Sequence, residues 1–121
     1  MGKRILVIDD NDNDLLIIER YLNKAGYGEI SAVNDPAEGI RKAMEEKPDL
    51  VITDTLLPQT DGFEVCRRIK GSCGQNCPKI IIVTGSIDAV DAIKARQSGA
   101  DDYCAKTSNC ANIIEAVKKL I

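Results

Sequence analysis

Short runs of aliphatic residues recur along the chain and alternate with longer segments in which apolar residues are spaced three or four apart. Three runs, with the sequences ILVI, LVIT and IIIV, are almost continuously apolar, which is typical of strands covered on both faces. The pattern predicts five strands, at Arg4–Ile8, Glu29–Val33, Asp49–Thr53, Lys79–Val83 and Asp102–Ala105.

The segments between these runs have helical spacing and carry start or stop signals. Asp35-Pro36-Ala37-Glu38 opens the second helix, because it combines a cap residue, a proline at the first helical position and a glutamate at the third. Gly26 and Gly99 follow the first and fourth helices, where glycine commonly ends a helix. The predicted helices are Asp14–Lys24, a helix from Asp35-Pro36, Phe63–Lys70, Asp88 to Gly99 and Asn109 to Leu120.

Strands that alternate with helices in this way predict an α/β domain with a parallel sheet between two helical layers. The length of 121 residues suits a single domain. Ligands of such sheets bind beyond the carboxyl ends of the strands, near the point where the strand order reverses. The residues that end each strand therefore carry most of the functional information.

Charge and hydropathy exclude several classes of protein. The net charge is -3 and there is no basic run, so nothing indicates that the chain binds nucleic acid or an anionic membrane. The first apolar run, Ile5–Ile8, ends in two aspartates and does not resemble a signal peptide. No stretch approaches the roughly 20 apolar residues that span a bilayer. We therefore expect a cytoplasmic protein.

The chain has five cysteines, no CxxC pair and no histidine. A zinc site usually has four ligands, commonly Cys or His, so a zinc centre is not expected. The absence of histidine excludes histidine-based catalysis and a phosphohistidine on this chain. We expect reduced, structural cysteines, as in most cytosolic proteins, and the alternative is a redox role for Cys73 and Cys77.

Four of the predicted strands end in complementary polar groups. The first ends in Asp9-Asp10, the third in Asp54 and the fourth in Thr84-Gly85-Ser86, while Lys106 follows the fifth. Three neighbouring carboxylates repel one another, which raises their pKa values. A divalent cation bound between them would relieve this repulsion. Ligands that are all oxygen favour Mg²⁺ over Zn²⁺.

Mg²⁺ typically binds through one or two carboxylates plus phosphate, which leaves one carboxylate free to act as a nucleophile. Its attack on phosphorus would give an aspartyl phosphate. Lys106 and the metal would offset charge on the transferring group, and Thr84 can donate a hydrogen bond to a phosphoryl oxygen. Taken singly, each aspartate is more often a cap or turn residue, and the lysine more often a solvated one.

At these residues, and over the whole chain, the sequence resembles the receiver domain of two-component response regulators. The separations between the matching positions also fit that family, which makes the resemblance more specific than any one motif. The matching positions are the metal-binding pair Asp9-Asp10, the phosphoacceptor Asp54, the loop Leu57–Gly62, the hydroxyl residue Thr84, the switch aromatic Tyr103 and the invariant lysine Lys106.

The resemblance implies a flavodoxin-like, CheY-like sheet of five parallel strands in the order 2-1-3-4-5. It implies that Asp54 accepts a phosphoryl group from a histidine kinase or a histidine phosphotransfer protein, with Mg²⁺ as cofactor. Asp10, Asp54 and the backbone carbonyl of Leu56 would bind the metal, and Asp9 would act through bound water. Thr84 and Tyr103 would then change conformation.

The same resemblance implies that residues 1–121 form one receiver domain. The domain would signal rather than turn over a substrate, apart from its own phosphoryl transfer and slow autodephosphorylation. Output would pass to a downstream protein or to a fused output domain, without direct binding of nucleic acid by this domain.

Two positions depart from the family pattern. Thr107 stands where the family usually has proline, and Gly85 stands where it usually has alanine. The family's lysine–proline bond is typically cis, but a cis bond before another residue costs about 2.5–4 kcal/mol. We therefore expect the Lys106–Thr107 bond to be trans.

Other functions remain open on the residues alone. A phosphatase of the haloacid dehalogenase type also uses an aspartate nucleophile and Mg²⁺, but its D-x-D motif is absent from Asp54-Thr55-Leu56. A nucleotide or flavin binder would need a phosphate-cradling loop after the first strand, where this chain has the acidic segment Asp9–Asp14. A receiver that binds partners without phosphorylation is the remaining alternative, although every catalytic position is filled.

Overall fold

A computed structural model of the chain describes residues 2–121. The strands in this range are β1 (Arg4–Ile8), β2 (Glu29–Val33), β3 (Leu50–Asp54), β4 (Leu56–Leu57), β5 (Thr60–Asp61), β6 (Lys79–Thr84) and β7 (Asp102–Ala105). The helices are α1 (Asp12–Lys24), α2 (Pro36–Glu46), α3 (Gly62–Ser72), α4 (Ala89–Gln97) and α5 (Ala111–Leu120). None of these helices has the length and apolar character needed to cross a bilayer.

The five long strands form one parallel sheet in the order β2-β1-β3-β6-β7. Counting only these long strands, the order is 2-1-3-4-5, which confirms the predicted fold. The chain moves from β1 outward to β2 and then returns to β3 on the other side of β1. The order therefore reverses at the carboxyl ends of β1 and β3, where ligands of such sheets bind.

Two apolar layers cover the sheet, one on each face. Ile5, Val7 and Ile52 point to the layer formed with α1 and α5, whereas Leu6 and Val51 point to the layer formed with α2, α3 and α4. Successive side chains of a strand face opposite sides. Because both faces of the sheet are covered, every residue of such a strand meets an apolar layer, and the apolar runs are uninterrupted.

Local signals place most of the element boundaries. Asp35 caps α2 as predicted, its side chain accepting a hydrogen bond from the Glu38 N–H at 2.9 Å. Helix α1 starts two residues earlier than predicted, because Asn11 caps it by accepting from the Asp14 N–H at 3.0 Å. Strand β3 is shifted by one residue, since the Asp49 side chain instead accepts from the Arg4 N–H at 2.8 Å. The shift makes Asp54 the last residue of β3.

The prediction that all five cysteines are reduced is wrong for one pair. Cys73 and Cys77 form a disulfide across the turn between α3 and β6, where their Cα atoms lie 5.0 Å apart, a usual separation for a disulfide. The turn between the two cysteines contains Gly74, whose φ of 62° lies in the left-handed region that favours glycine. The remaining thiols are free, with Cys66 and Cys110 buried and Cys104 partly buried.

The peptide bonds of residues 2–121 are all trans, including the bond between Lys106 and Thr107. This confirms the prediction made at that position. The Lys106 N–H donates to the Thr84 carbonyl at 2.7 Å, so the end of β7 stays attached to the end of β6. The lysine is thereby held at the edge of the sheet where the acidic residues lie.

Candidate phosphoacceptor site

The polar residues predicted from the strand ends converge at the carboxyl edge of the sheet. Asp9 follows β1, Asp54 ends β3, Thr84 ends β6 and Lys106 follows β7. Asp54, Thr84 and Lys106 line one open pocket, together with side chains from the loop after β3 and the first turn of α4. Residues that are far apart in sequence therefore share one small region.

Lys106 is the centre of the ion pairs in this region. Its Nζ atom lies 2.7 Å from Asp9 Oδ2, 2.8 Å from Asp14 Oδ2 and 3.0 Å from Asp54 Oδ2. An ammonium group has three N–H donors. Each donor can therefore serve a different carboxylate, and the lysine joins the ends of three elements.

Burial and ion pairing shift the pKa values of Asp9 and Lys106. Burial raises the pKa of the Asp9 carboxyl above its usual value, and hydrogen bonds from Lys106 and from the Asn11 N–H oppose that rise. Burial alone would lower the pKa of Lys106, but the hydrogen bonds to Asp14, Asp9 and Asp54 outweigh it and raise that pKa. The lysine therefore stays charged at neutral pH.

The acidic groups fit a divalent cation. Asp9, Asp10 and Asp54 each offer a carboxylate oxygen, and these three oxygens lie within 4.8 Å of one another. Only oxygen donors are present in this group, which suits Mg²⁺ rather than Zn²⁺. Leu56 lies in β4, two residues beyond Asp54, and is 77% exposed. A metal contact from its backbone carbonyl remains a prediction.

Thr84 and Tyr103 lie near the site, but their hydroxyls form hydrogen bonds with the loop after β6. The Thr84 hydroxyl donates to the Ser86 carbonyl at 3.0 Å and accepts from the Ser86 N–H at 3.2 Å. The Tyr103 hydroxyl accepts from the Asp88 N–H at 3.4 Å, next to the start of α4. Both hydroxyls therefore hold the loop between β6 and α4, and Thr84 is directed at Ser86 rather than at Asp54.

Asp14 belongs to the site although the sequence did not single it out. It was predicted only as the start of a helix, but it lies in the first turn of α1 beyond the cap Asn11. That turn follows directly from the end of β1. Placing the first turn of α1 at the same edge as the strand ends would have indicated this residue.

The loop after Asp54 also contains a close backbone contact. Strands β4 and β5 form a small hairpin that returns the chain to α3, where the Gly62 N–H donates to the Thr55 carbonyl at 2.9 Å. A Cβ atom on Gly62 would overlap the carbonyl oxygen of Asp54 and lie 3.0 Å from its carbonyl carbon. Asp61-Gly62 is therefore more than the simple turn that the dipeptide usually indicates.

Replacing Lys106 with Met is expected to lower the free energy of unfolding by about 1–2 kcal/mol at neutral pH, because three carboxylates lose their shared cation. The pKa of Asp9 would then rise further. An acid with a raised pKa in the folded state stabilises the fold at low pH, and this contribution is lost as the pH rises through the raised value.

The loss in free energy of unfolding caused by Lys106→Met should therefore be larger at about pH 8 than at about pH 5. Urea unfolding of the parent protein and the variant at both pH values would measure it. Lys119→Met is the matched control, because its exposed pair with Glu115 has an N–O distance of 3.7 Å. An equal loss in free energy of unfolding for Lys106→Met at both pH values would contradict this account of the carboxylate cluster.

Residues 5–118 match the family model described as the response regulator receiver domain. The chain belongs to this family. It is 33% identical over 121 residues to the alkaline phosphatase synthesis transcriptional regulatory protein PhoP of Bacillus subtilis, covering 100% of this chain and 49% of that protein. It is 37% identical over 102 residues to the transcriptional regulatory protein AfsQ1 of Streptomyces coelicolor, covering 84% of this chain and 44% of that protein.

Solved structures of receivers share the fold. A two-component response regulator of the LuxR family from Aurantimonas is 29% identical, with a TM-score of 0.89 over 98% of this chain and 84% of that one. The chemotaxis response regulator CheY4 of Vibrio cholerae, 21% identical, matches in fold with a TM-score of 0.90 over 100% of both chains. The receiver spans about half the length of the curated relatives, and neither comparison supports a haloacid dehalogenase-type phosphatase.

Proposed function

We propose that this receiver accepts a phosphoryl group on Asp54 from a partner phosphohistidine, in a Mg²⁺-dependent reaction. The observation that carries the proposal is the position of Asp54 in an open pocket with Lys106 Nζ 3.0 Å from its carboxylate. The side chain of Asp9 is only 1% exposed, so a donor cannot reach it. Asp54 is thus the better placed nucleophile of the two.

The transfer follows from the groups around Asp54. A carboxylate oxygen of Asp54 attacks phosphorus as the bond to the histidine nitrogen breaks, and the imidazole leaves with that electron pair. Lys106 offsets negative charge on the oxygens of the transferring phosphoryl group. The Thr55 hydroxyl lies 3.5 Å from Asp54 Oδ1, the carboxylate oxygen that does not contact Lys106. When held by Asp10, Asp54 and the Leu56 carbonyl, with Asp9 acting through bound water, Mg²⁺ would supply further electrostatic stabilisation of the phosphoryl oxygens.

The response to phosphorylation is proposed to pass through Thr84. Its hydroxyl would leave the Ser86 carbonyl for a phosphoryl oxygen, because a hydrogen bond to an anionic acceptor is stronger than one to a neutral carbonyl. Movement of that loop would disturb the contact between the Tyr103 hydroxyl and the Asp88 N–H. The surface formed by α4, β7 and α5 would then change shape and alter partner binding.

The proposed partners follow from the family and from the relatives. A histidine kinase or a histidine phosphotransfer protein would supply the phosphoryl group. The relatives PhoP and AfsQ1 are transcriptional regulatory proteins about twice as long as this chain. We propose that output passes either to a fused domain of that kind or to a separate protein target, without direct DNA contact by this domain.

Intact-mass measurement tests the proposal. Incubation with acetyl phosphate and Mg²⁺ should add one phosphoryl group, and a chelator should prevent the addition. Borohydride reduction of the acyl phosphate, followed by peptide mapping, should place the modification at Asp54. A protein that gains no mass but hydrolyses small phosphate esters with turnover would instead be a phosphatase.

Asp10→Asn is expected to weaken Mg²⁺ binding at least about tenfold, because the variant removes a charged oxygen ligand from the group formed with Asp9 and Asp54. Titration calorimetry with Mg²⁺ measures the change. Asp12→Asn is the control, since the Asp12 side chain accepts from Asn34 Nδ2 at 3.1 Å. Unchanged affinity in Asp10→Asn would place the metal elsewhere.

A further inference from the structure

Asp14 makes a contact that the proposed transfer does not use. Its Oδ2 atom accepts from Lys106 Nζ at 2.8 Å, as closely as Asp9 and Asp54 do. The backbone of Asp14 is fixed in the first turn of α1, where its N–H donates to the side chain of Asn11 at 3.0 Å. The carboxylate is therefore held beside the lysine by a regular helix rather than by a loop.

All three donors of Lys106 are taken by carboxylates. Phosphorylation removes the negative charge of the Asp54 carboxylate, so the donor that meets Asp54 can pass to a phosphoryl oxygen. Asp9 and Asp14 are then the carboxylates that compete with the phosphoryl group for this ammonium. Asp9 is 1% exposed and belongs to the group of oxygens that could hold Mg²⁺, so its charge would have a second cation beside it. Asp14 lies outside that group and is 35% exposed, so Lys106 is its cationic partner and water can solvate it when the contact loosens.

We propose that Asp14 is a positioning residue that competes with the phosphoryl group for Lys106 and so lowers the affinity of the site for that group. In the unmodified protein, Asp14 occupies one of the three donors of Lys106. After phosphoryl transfer, Asp14 shares the ammonium with the new anion, and its own negative charge opposes that anion. The inference rests on the proposed role of Asp54 as the acceptor.

Beryllofluoride binding measures this competition directly, since the fluoride complex stands in for the phosphoryl group on Asp54. The variant is Asp14→Asn, whose amide oxygen can still accept from Lys106 but carries no charge. With saturating Mg²⁺, the dissociation constant for beryllofluoride should fall about threefold to tenfold, as measured by titration calorimetry. Asp14→Glu keeps the charge and should restore the weaker binding.

Asp12→Asn provides the matched control. It removes the same charge from the same turn of α1, but its carboxylate contacts Asn34 rather than Lys106. Because Asp12 is exposed and does not contact Lys106, solvent screens most of its effect, and the dissociation constant of Asp12→Asn should stay within about 1.5-fold of the parent value. Tighter binding in Asp14→Asn than in Asp12→Asn supports competition for the lysine, and equal or weaker binding overturns it.

A second readout separates competition from a merely structural role. The phosphorylation rate of Asp14→Asn, followed against acetyl phosphate concentration, should reach half of its maximum at a lower concentration with little change in the maximum. If Asp14 only kept Lys106 in place, its loss would reduce the maximum rate and weaken beryllofluoride binding, which overturns the inference. A parent protein that neither binds beryllofluoride nor gains a phosphoryl group would defeat the proposed function itself.

Discussion

Asp54→Asn is expected to lose the Mg²⁺-dependent gain of a phosphoryl group entirely. The amide that replaces the carboxylate has no anionic oxygen to attack phosphorus, so no acyl phosphate can form. The substitution preserves the size of the side chain at a position only 13% exposed, so the fold should persist. Intact-mass measurement after incubation with acetyl phosphate gives the result, and thermal unfolding confirms that the variant is folded.

The control for this experiment is Asp91→Asn. Asp91 is in the first turn of α4 and lines the same pocket, but it lies outside the group around Lys106. Its loss removes one negative charge from the pocket and leaves the proposed nucleophile Asp54 in place, so phosphorylation should continue. Mass gain by Asp54→Asn at the parent rate would show that the acceptor is a different residue.

Gly62→Ala should have the second largest effect, on both stability and phosphorylation. The added Cβ would overlap the carbonyl oxygen of Asp54, a backbone atom with little freedom to move. Relieving such a clash in a packed region typically costs about 1–3 kcal/mol. Because the displaced backbone carries the proposed nucleophile Asp54, a shift of about 1 Å would slow transfer on the order of 100-fold.

Gly71→Ala is the matched control for Gly62→Ala. Both glycines belong to α3, but a Cβ at Gly71 meets no atom within 4 Å. Alanine favours a helix over glycine by up to about 1 kcal/mol, so this variant should be as stable as the parent or more stable. Urea unfolding and the acetyl phosphate rate should be measured for both variants. Parent-like values for Gly62→Ala would show that the loop can adapt.

Much of the fold was predictable because its signals are local. Continuous aliphatic runs such as Ile80–Val83 indicate strands with two covered faces, whichever elements cover them. Asp35-Pro36 starts α2 by chemistry contained within one turn, and that cap is present. The boundaries could not be read from local signals where a side chain from another element took part, as at Asp49, which accepts a hydrogen bond from the backbone of β1.

The convergence of Asp9, Asp54 and Lys106 was predictable for a topological reason. Parallel strands place their carboxyl ends at one edge of the sheet, so residues that follow different strands meet there. The prediction needed the direction of each strand but no detail of the side chains. Which oxygen contacts the lysine, and at what distance, could not be obtained in this way.

The sequence by itself therefore determined the α/β order, the covered strands and the edge where the acidic residues meet, because each depends on periodicity or chain direction. Only the tertiary structure decided that Asp14 shares Lys106, that Thr84 is bonded to Ser86, and that Gly62 abuts the backbone of Asp54. It also decided the pairing of Cys73 with Cys77. These contacts depend on distances of a few ångströms set by side-chain rotamers and turn geometry, which a one-dimensional pattern does not encode.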